Sequence, residues 1–423
     1  MTPTEHSIPA EMFRPIDLAS EEVRQNFRAY LSEWARHPPF YVEQNGAPQA
    51  VIARFDDMQT VLTDRKRFSS VPPQLAGGQM KKFMPNKFMN VTPPTQIEGE
   101  AHARFRRLVN PAFTAASLSR YVAMIDTVIE GIIDRAVADG PDFDVMTDFA
   151  GWLMPLVMLE GMFGFTPEER ASFVRMNQCL RLTSKLSPDD PFPQEYVDAF
   201  AAAEAAIEGI VARRRAAPGD DIISKLVLAN EDGDTLSDRE LFEMIFVFGA
   251  GAIESTAATT GGALLSLAQH PDQFAEVKEN PALIPAALNE CMRYHGPGFL
   301  LFTRYAMVDT ELDGTPFPAG MPIYVCNQAA SYDPVQFPDP LTFNIHRNPE
   351  RVPVFGGGVH FCLGNRLAVM VMNRALNRLF ARFPDIDLAD PNFRPVYDGA
   401  LSETQLVSLP MRAYQKTGDD SAS

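Results

Sequence analysis

Apolar side chains recur at three- and four-residue spacing along most of this chain, and strict alternation is confined to short stretches. That pattern predicts a mainly α fold with a small β-rich lobe. The segment 20–36 opens with a capping serine and early acids, and Val23, Phe27, Tyr30, Leu31 and Trp34 follow at helical spacing. Residues 40–54 alternate around Asn45-Gly46, a hairpin signal, and 55–62 reads as a short helix. From Val71 to Pro94 periodicity is lost, and Met80, Phe83, Met84, Phe88 and Met89 cluster there, which suits a malleable apolar lid. Helix then follows helix from 117 to 230, with breaks at proline and glycine. Ser237-Asp238-Arg239-Glu240 is a capping box opening a long helix that runs to His270. Further helices are predicted over 283–294 and 363–383, with strand-like segments between them and after the second. The division expected is an N-terminal extension over 1–19, one main domain over 20–414 and a disordered tail over 415–423.

Charge and cysteine usage narrow the function classes. The formal net charge is −17, from 37 basic and 54 acidic side chains, which argues against nucleic acid as the main partner. Four scattered cysteines form no C-x-x-C pair, so a disulfide framework is not expected and a reducing cytoplasm is the natural setting. The first eighteen residues carry no apolar core of signal or anchor length, and no uninterrupted apolar run reaches the ~20 residues that span a bilayer. A soluble, monomeric, cytoplasmic enzyme is the expectation.

The chemistry concentrates at 353–366, PVFGGGVHFCLGNR, which holds His360 and Cys362 among glycines that let a backbone approach a flat partner closely. A helix begins immediately afterwards, and a thiolate at its N-terminus is stabilised by free N–H groups and the dipole. Such a sulfur is poised to ligate a metal, and a heme iron held by one cysteine is a known solution. Phe355, Gly358, His360, Cys362 and Gly364 fill the pattern F-x-x-G-x-H/R-x-C-x-G. On these residues the chain resembles the cytochrome P-450 family of heme-thiolate monooxygenases, and further matches extend from residue 20 to residue 410.

The resemblance implies heme b (iron protoporphyrin IX) as cofactor, with Cys362 as the metal ligand. His102 and Arg106 are four apart, share one helix face and suit a common anion. By resemblance that anion is a heme propionate, with Arg304 and His360 as further propionate contacts. In the long helix an acid at Glu254 is costly to bury without a partner or a task. The family pattern A/G-G-x-D/E-T falls on Gly251, Ala252, Ile253, Glu254 and Ser255, where acid and alcohol deliver protons. Two positions depart from it: Ala252 replaces a glycine and Ser255 a threonine, with Thr256 next in line as a second candidate hydroxyl. Glu290, Arg293 and Arg347 match the family's structural ion-pair set behind the cysteine loop.

These matches imply an oxygenase that hydroxylates or demethylates an apolar small molecule with O2. Its electrons would come from a ferredoxin fed by an NAD(P)H-dependent reductase. Arg104, Arg107, Arg366 and Arg374 are candidates for a local positive docking patch. Two alternatives stand beside this: a peroxide-using peroxygenase or isomerase, and a heme-binding sensor without catalysis. Terpenoids, steroids, fatty acids and small aromatics all fit a Phe- and Met-rich pocket.

Overall fold

A computed structural model describes residues 8–414 apart from 19, 45, 73–83, 184–185, 187–189, 299–300, 348, 350 and 401–402. The alternating segment forms the expected antiparallel hairpin, β1 (Phe40–Gln44) with β2 (Ala47–Ile52). With β3 (Phe68–Ser69), β4 (Leu301–Ala306) and β5 (Pro322–Cys326) it builds a five-stranded sheet in the order β1-β2-β5-β4-β3. Only the β2–β5 pairing is parallel, so this lobe joins the N-terminal and C-terminal thirds of the chain. Asn45 of the predicted turn and the tail beyond Tyr414 lie outside the described residues. So do residues 73–83 of the expected lid, Met80 and Phe83 among them. Phe88, at its C-terminal end, is fully buried and packs its ring against Phe200, Phe242 and Phe246. It anchors the segment in the core rather than offering a malleable surface.

The predicted first helix is two, Glu21–Gln25 and Phe27–Trp34, interrupted at Asn26. The helices that place the site are α1 (Gly99–Val109), α2 (Val122–Ala136), α3 (Pro167–Thr183) and α4 (Gln194–Ala216). After them come α5 (Asp238–Ala268), α6 (Ile284–Tyr294), α7 (Asn327–Ala330) and α8 (Asn365–Arg382). Between α2 and α3 the chain forms two π-helical segments, Val145–Ala150 and Pro155–Met162, around a short α turn. Pro155 cannot donate to the helical ladder, which accounts for the second break in the expected run of ordinary helices.

The long helix α5 starts where the capping box predicts. Ser237 accepts from the Glu240 N–H at 3.2 Å, and Glu240 accepts from the Ser237 N–H at 2.8 Å. Its last turns, residues 256–267, are buried throughout, as suits a helix end surrounded by protein. Among the described residues α5 alone has the length and apolarity to cross a membrane, and it belongs to the main core cluster.

A charge ladder fixes α8 against α2. Asp126 pairs with Arg374 and Arg378, Glu130 with Arg378 and Arg382, and Asp134 with Arg382. Acids and bases each step by four residues along helices that run the same way, so every rung repeats the one before. Exposed pairs contribute little singly, but the Asp126 carboxylate is largely shielded, and Arg374 first, then Arg378, hold its pKa below the usual range. We expect Asp126→Asn to destabilise by about 1 kcal/mol at low salt. The difference in melting temperature should shrink in ~1 M salt, where the Debye length is about 3 Å. A difference independent of salt would remove the ladder from the account of stability.

Candidate active site

The cysteine loop is built from two 3-10 turns, Pro353–Phe355 and Gly358–His360. Gly356 and Gly358 have φ of +74° and +62°, which favours glycine at both. Gly358 is also pressed onto the Leu62 carbonyl, where a Cβ would collide. The Cys362 N–H donates to the Phe355 carbonyl at 3.0 Å and closes the loop. Gly364 is different: its φ is ordinary, and a Cβ there would meet no protein atom within 4 Å. It lines a cavity of about 340 Å³ together with Phe355, Gly358's neighbour His360 and Cys362 itself. What that glycine keeps clear is therefore space inside the cavity, for something flat against the loop.

Burial raises the pKa of the Cys362 thiol, and the N–H groups of Gly364 and Asn365 with the Arg106 charge pull the other way. The helix-terminus effect expected from the sequence is present, but desolvation is the larger influence. A ligating sulfur must lose its proton, so ligation here expels one.

The cations gather at one side. Arg106 on α1 donates to the Phe361 carbonyl at 3.2 Å, and Arg304 on β4 donates to the Thr303 carbonyl at 2.9 Å. Neither has a carboxylate within salt-bridge distance among the described residues, and burial lowers the pKa of both. His102 and His360 face each other with ring centres 4.3 Å apart. Burial first, then neighbouring positive charge, pushes both down, His360 to about 4. At neutral pH they are neutral rings that offer N–H donors rather than charge. One half-buried and one buried guanidinium without a carboxylate partner, and two donors beside them, suit a dianionic edge, the chemistry of two propionates. Together with Cys362 and the space kept by Gly364, the donor set fits a heme.

Ser70 and Glu98 complete this corner, and neither was assigned a role from sequence. Ser70 Oγ lies 3.2 Å from His360 Nε2, and Glu98 accepts from the Ser70 N–H at 2.6 Å and from Oγ at 2.9 Å.

On the opposite wall stand Gly251, Ala252, Ser255, Thr256 and Thr259 of α5. Ser255 donates its hydroxyl to the Gly251 carbonyl at 2.7 Å, and Thr259 donates to the Ser255 carbonyl at 2.7 Å. Thr256 is almost wholly buried at 3% exposure. Glu254 is not a wall residue. Its carboxylate turns to α3, where Asn177 Nδ2 donates to it at 3.1 Å. The remaining walls are apolar, with Phe113, Met154, Met158, Val247 and Phe248 prominent. Among the described residues α3 and α4 supply no wall; α3 packs on α5, through Phe173 against Gly249.

Behind the loop the expected ion-pair set is assembled. Glu290 takes two bonds of 2.8 Å from Arg293, one of 3.3 Å from Arg347 Nε and one of 3.0 Å from the Asn344 N–H.

The family model described as Cytochrome P450 matches residues 17–392. Over 387 residues the chain is 30% identical to the polyketide biosynthesis cytochrome P450 PksS of Bacillus subtilis, covering 89% of this chain and 93% of that protein. It is 32% identical over 385 residues to a steroid C26-monooxygenase of Mycobacterium tuberculosis, covering 89% and 90% of the two chains. The solved structure of PksS superposes with a TM-score of 0.83 at 27% identity, covering 95% of this chain and all of that one.

Proposed function

The chain belongs to the cytochrome P450 family, and from that premise we propose that it oxidises a compact apolar molecule, by hydroxylation or demethylation, in the cavity between Cys362 and Ser255. It is a P450 monooxygenase whose cofactor is heme, and it uses O2 with a redox partner. When bound, heme supplies the reduction of O2 and the transfer of one oxygen atom. Cys362 would hold it, Arg106, Arg304, His102 and His360 would fix its propionates, and Phe355, Gly358 and Gly364 would keep the loop flat against it. The observation that carries the reading is the wall chemistry: mostly apolar side chains, with the Cys362 thiol on one side, hydroxyls on the other, and Arg304 and His360 as the basic groups.

A ferredoxin is the proposed electron donor, the cytoplasm the proposed setting, and one catalytic unit over 20–414, acting as a monomer, the proposed organisation. Of the four arginines considered for docking, Arg104 is bound to Asp234 and Glu240, Arg107 to Glu100 and Arg374 to Asp126. Arg366 is exposed and pairs with no acid among the described residues. The ferredoxin proposal therefore rests on the family's need for a reductant rather than on a basic patch. The named relatives act in polyketide biosynthesis and on steroids, which supports a substrate of mainly hydrocarbon surface.

The test is a screen of such compounds for a substrate-induced shift of the heme spectrum, followed by product formation with NAD(P)H, a ferredoxin and its reductase. Turnover with peroxide alone, and none with reductase, would favour the peroxygenase alternative.

Proton delivery gives the next expected outcome. Ser255 already donates to Gly251, and no bond from the Thr256 hydroxyl is found among the described residues. Thr256 is therefore the hydroxyl with a proton to offer the cavity, and Ser255 offers lone pairs. Thr256→Val should leave heme and substrate affinity unchanged while product per NAD(P)H falls and peroxide rises. Loss of a positioned donor costs ~10²–10⁴-fold in its step, and water filling the gap would hold the effect to the low end. Ser255→Ala should uncouple less. The reverse order assigns the role to Ser255, and no uncoupling in either takes both hydroxyls out of the relay.

A further inference from the structure

Beneath the cysteine loop lies a set of buried polar atoms that nothing above employs. The short helix α7 carries Asn327 and Gln328, and Ser331 follows it; all three are fully buried. Among the described residues no partner is found for Asn327 Oδ1 or Nδ2, for Gln328 Oε1 or for Ser331 Oγ. A buried donor or acceptor left unpaired costs as much as a lost hydrogen bond, and natural proteins pair such atoms with protein or ordered water. Four on one short segment point to a ligand rather than to scatter.

Position narrows what the ligand is. Asn327 and Ser331 are four apart, so they share one face of the turn. Asn327 Nδ2 is the one atom within 4 Å of where a Gly356 Cβ would stand, at 3.5 Å, so this amide abuts the cysteine loop at its left-handed turn. On the other side Gln328 Nε2 donates to the Arg293 carbonyl at 2.8 Å, and the Ser331 carbonyl accepts from Arg293 Nη1 at 3.0 Å. The segment thus stands between the buried Glu290–Arg293 pair and the loop that carries Cys362. Amide and hydroxyl both donate and accept, and the nearest charge, Arg293, is already met by Glu290. An anion or cation would find no counter-charge. A neutral ligand that donates and accepts at once is needed, and a buried water makes two to four such bonds.

We propose that Asn327 and Ser331 hold an internal water, and that through it Asn327 is a positioning residue for the cysteine loop. The water fixes the Gly356 turn against the ion-pair core, and the turn fixes where the sulfur stands. The consequence for the sulfur rests on Cys362 being the heme ligand; the water does not.

A crystal structure of the heme-loaded protein, at a resolution that orders internal water, should contain one bonded to both Asn327 and Ser331. A dry contact there overturns the site. Heme-loaded Asn327→Leu, Ser331→Ala and the double variant are then compared by the rate of heme loss to an excess acceptor protein. Support one step removed from a metal typically changes affinity 10–100-fold, so each single variant should raise the rate on the order of tenfold. The double variant should do no more than either single one, because both remove the same water. Asn327→Ser, which leaves room for a second water, should recover most of the loss. Additive effects would deny the shared water, and unchanged rates would deny the positioning role. If Cys362 were not the ligand, non-additivity would persist in thermal melting, while the reduced carbon monoxide spectrum would be the same in all variants.

Discussion

Replacing Cys362 by alanine should abolish the red-shifted Soret band of the reduced carbon monoxide complex, because thiolate ligation of the iron is what shifts it. Among the described residues the variant has no second thiol on the cavity wall to recruit. Cys179, Cys291 and Cys326 are buried, and none lies on the cavity wall. Desolvation holds the Cys326 thiol up at about 12 and raises the other two as well. His360 does line the cavity and carries a ring nitrogen able to take over. Heme would then be retained with an unshifted band, and without the electron donation that a thiolate gives. Sign and pH also follow. Burial raises the Cys362 pKa, so wild-type protein expels a proton on ligation, and heme uptake should strengthen as pH rises toward that raised value. The alanine variant should lose this dependence. Persistence of the red-shifted band in the variant would place the ligand elsewhere and take the proposed site with it.

How much of this could be read from residues alone depends on how far each feature reaches along the chain. The cysteine loop is legible because its constraints are local: two left-handed glycines, one sulfur and a helix start fall within a dozen positions. The capping box of α5 and the three-residue step from Glu290 to Arg293 are legible for the same reason. Contacts between distant segments leave no such trace. Ser70 meets His360 across 290 positions, and Glu254 meets Asn177 across 77. The sequence shows that an acid sits inside an apolar helix, but not which neighbour meets it, so its turn toward α3 rather than the cavity came only with the fold. The docking arginines fail similarly. A list of positive side chains does not reveal that Arg104 and Arg374 already have acids in place, whereas the structure does. The lid was read from its methionines and phenylalanines, and Phe88 shows that one of those rings serves the core.

Glu290→Ala should damage the fold before it damages chemistry. Glu290 and Arg293 are both at 0% exposure, and the carboxylate receives four hydrogen bonds from Arg293, Arg347 and Asn344. Arg293 also ties down the carbonyls of Ser331, Pro340 and Thr342, so the segment after α7 hangs on this one guanidinium. Removing the acid leaves that charge buried without a counter-charge, which typically costs about 3–5 kcal/mol. Set against a total stability of about 5–15 kcal/mol, this is a large fraction. For a chain of this size it corresponds to a fall in melting temperature on the order of 5 °C. Soluble yield and heme content should drop together, because the same segment supports the cysteine loop from behind. Arg347→Ala is the graded comparison. Its 3.3 Å bond is the longest to the carboxylate and its side chain is 15% exposed, so its removal leaves the Glu290–Arg293 pair intact and should cost less. Glu290→Gln, which keeps an acceptor for Arg293 without the charge, should fall between the two. A heme-replete Glu290→Ala protein melting within a degree of wild type would mean that the pair is a passenger in the core. The support of the loop would then have to come from the packing of α6 and α8 alone.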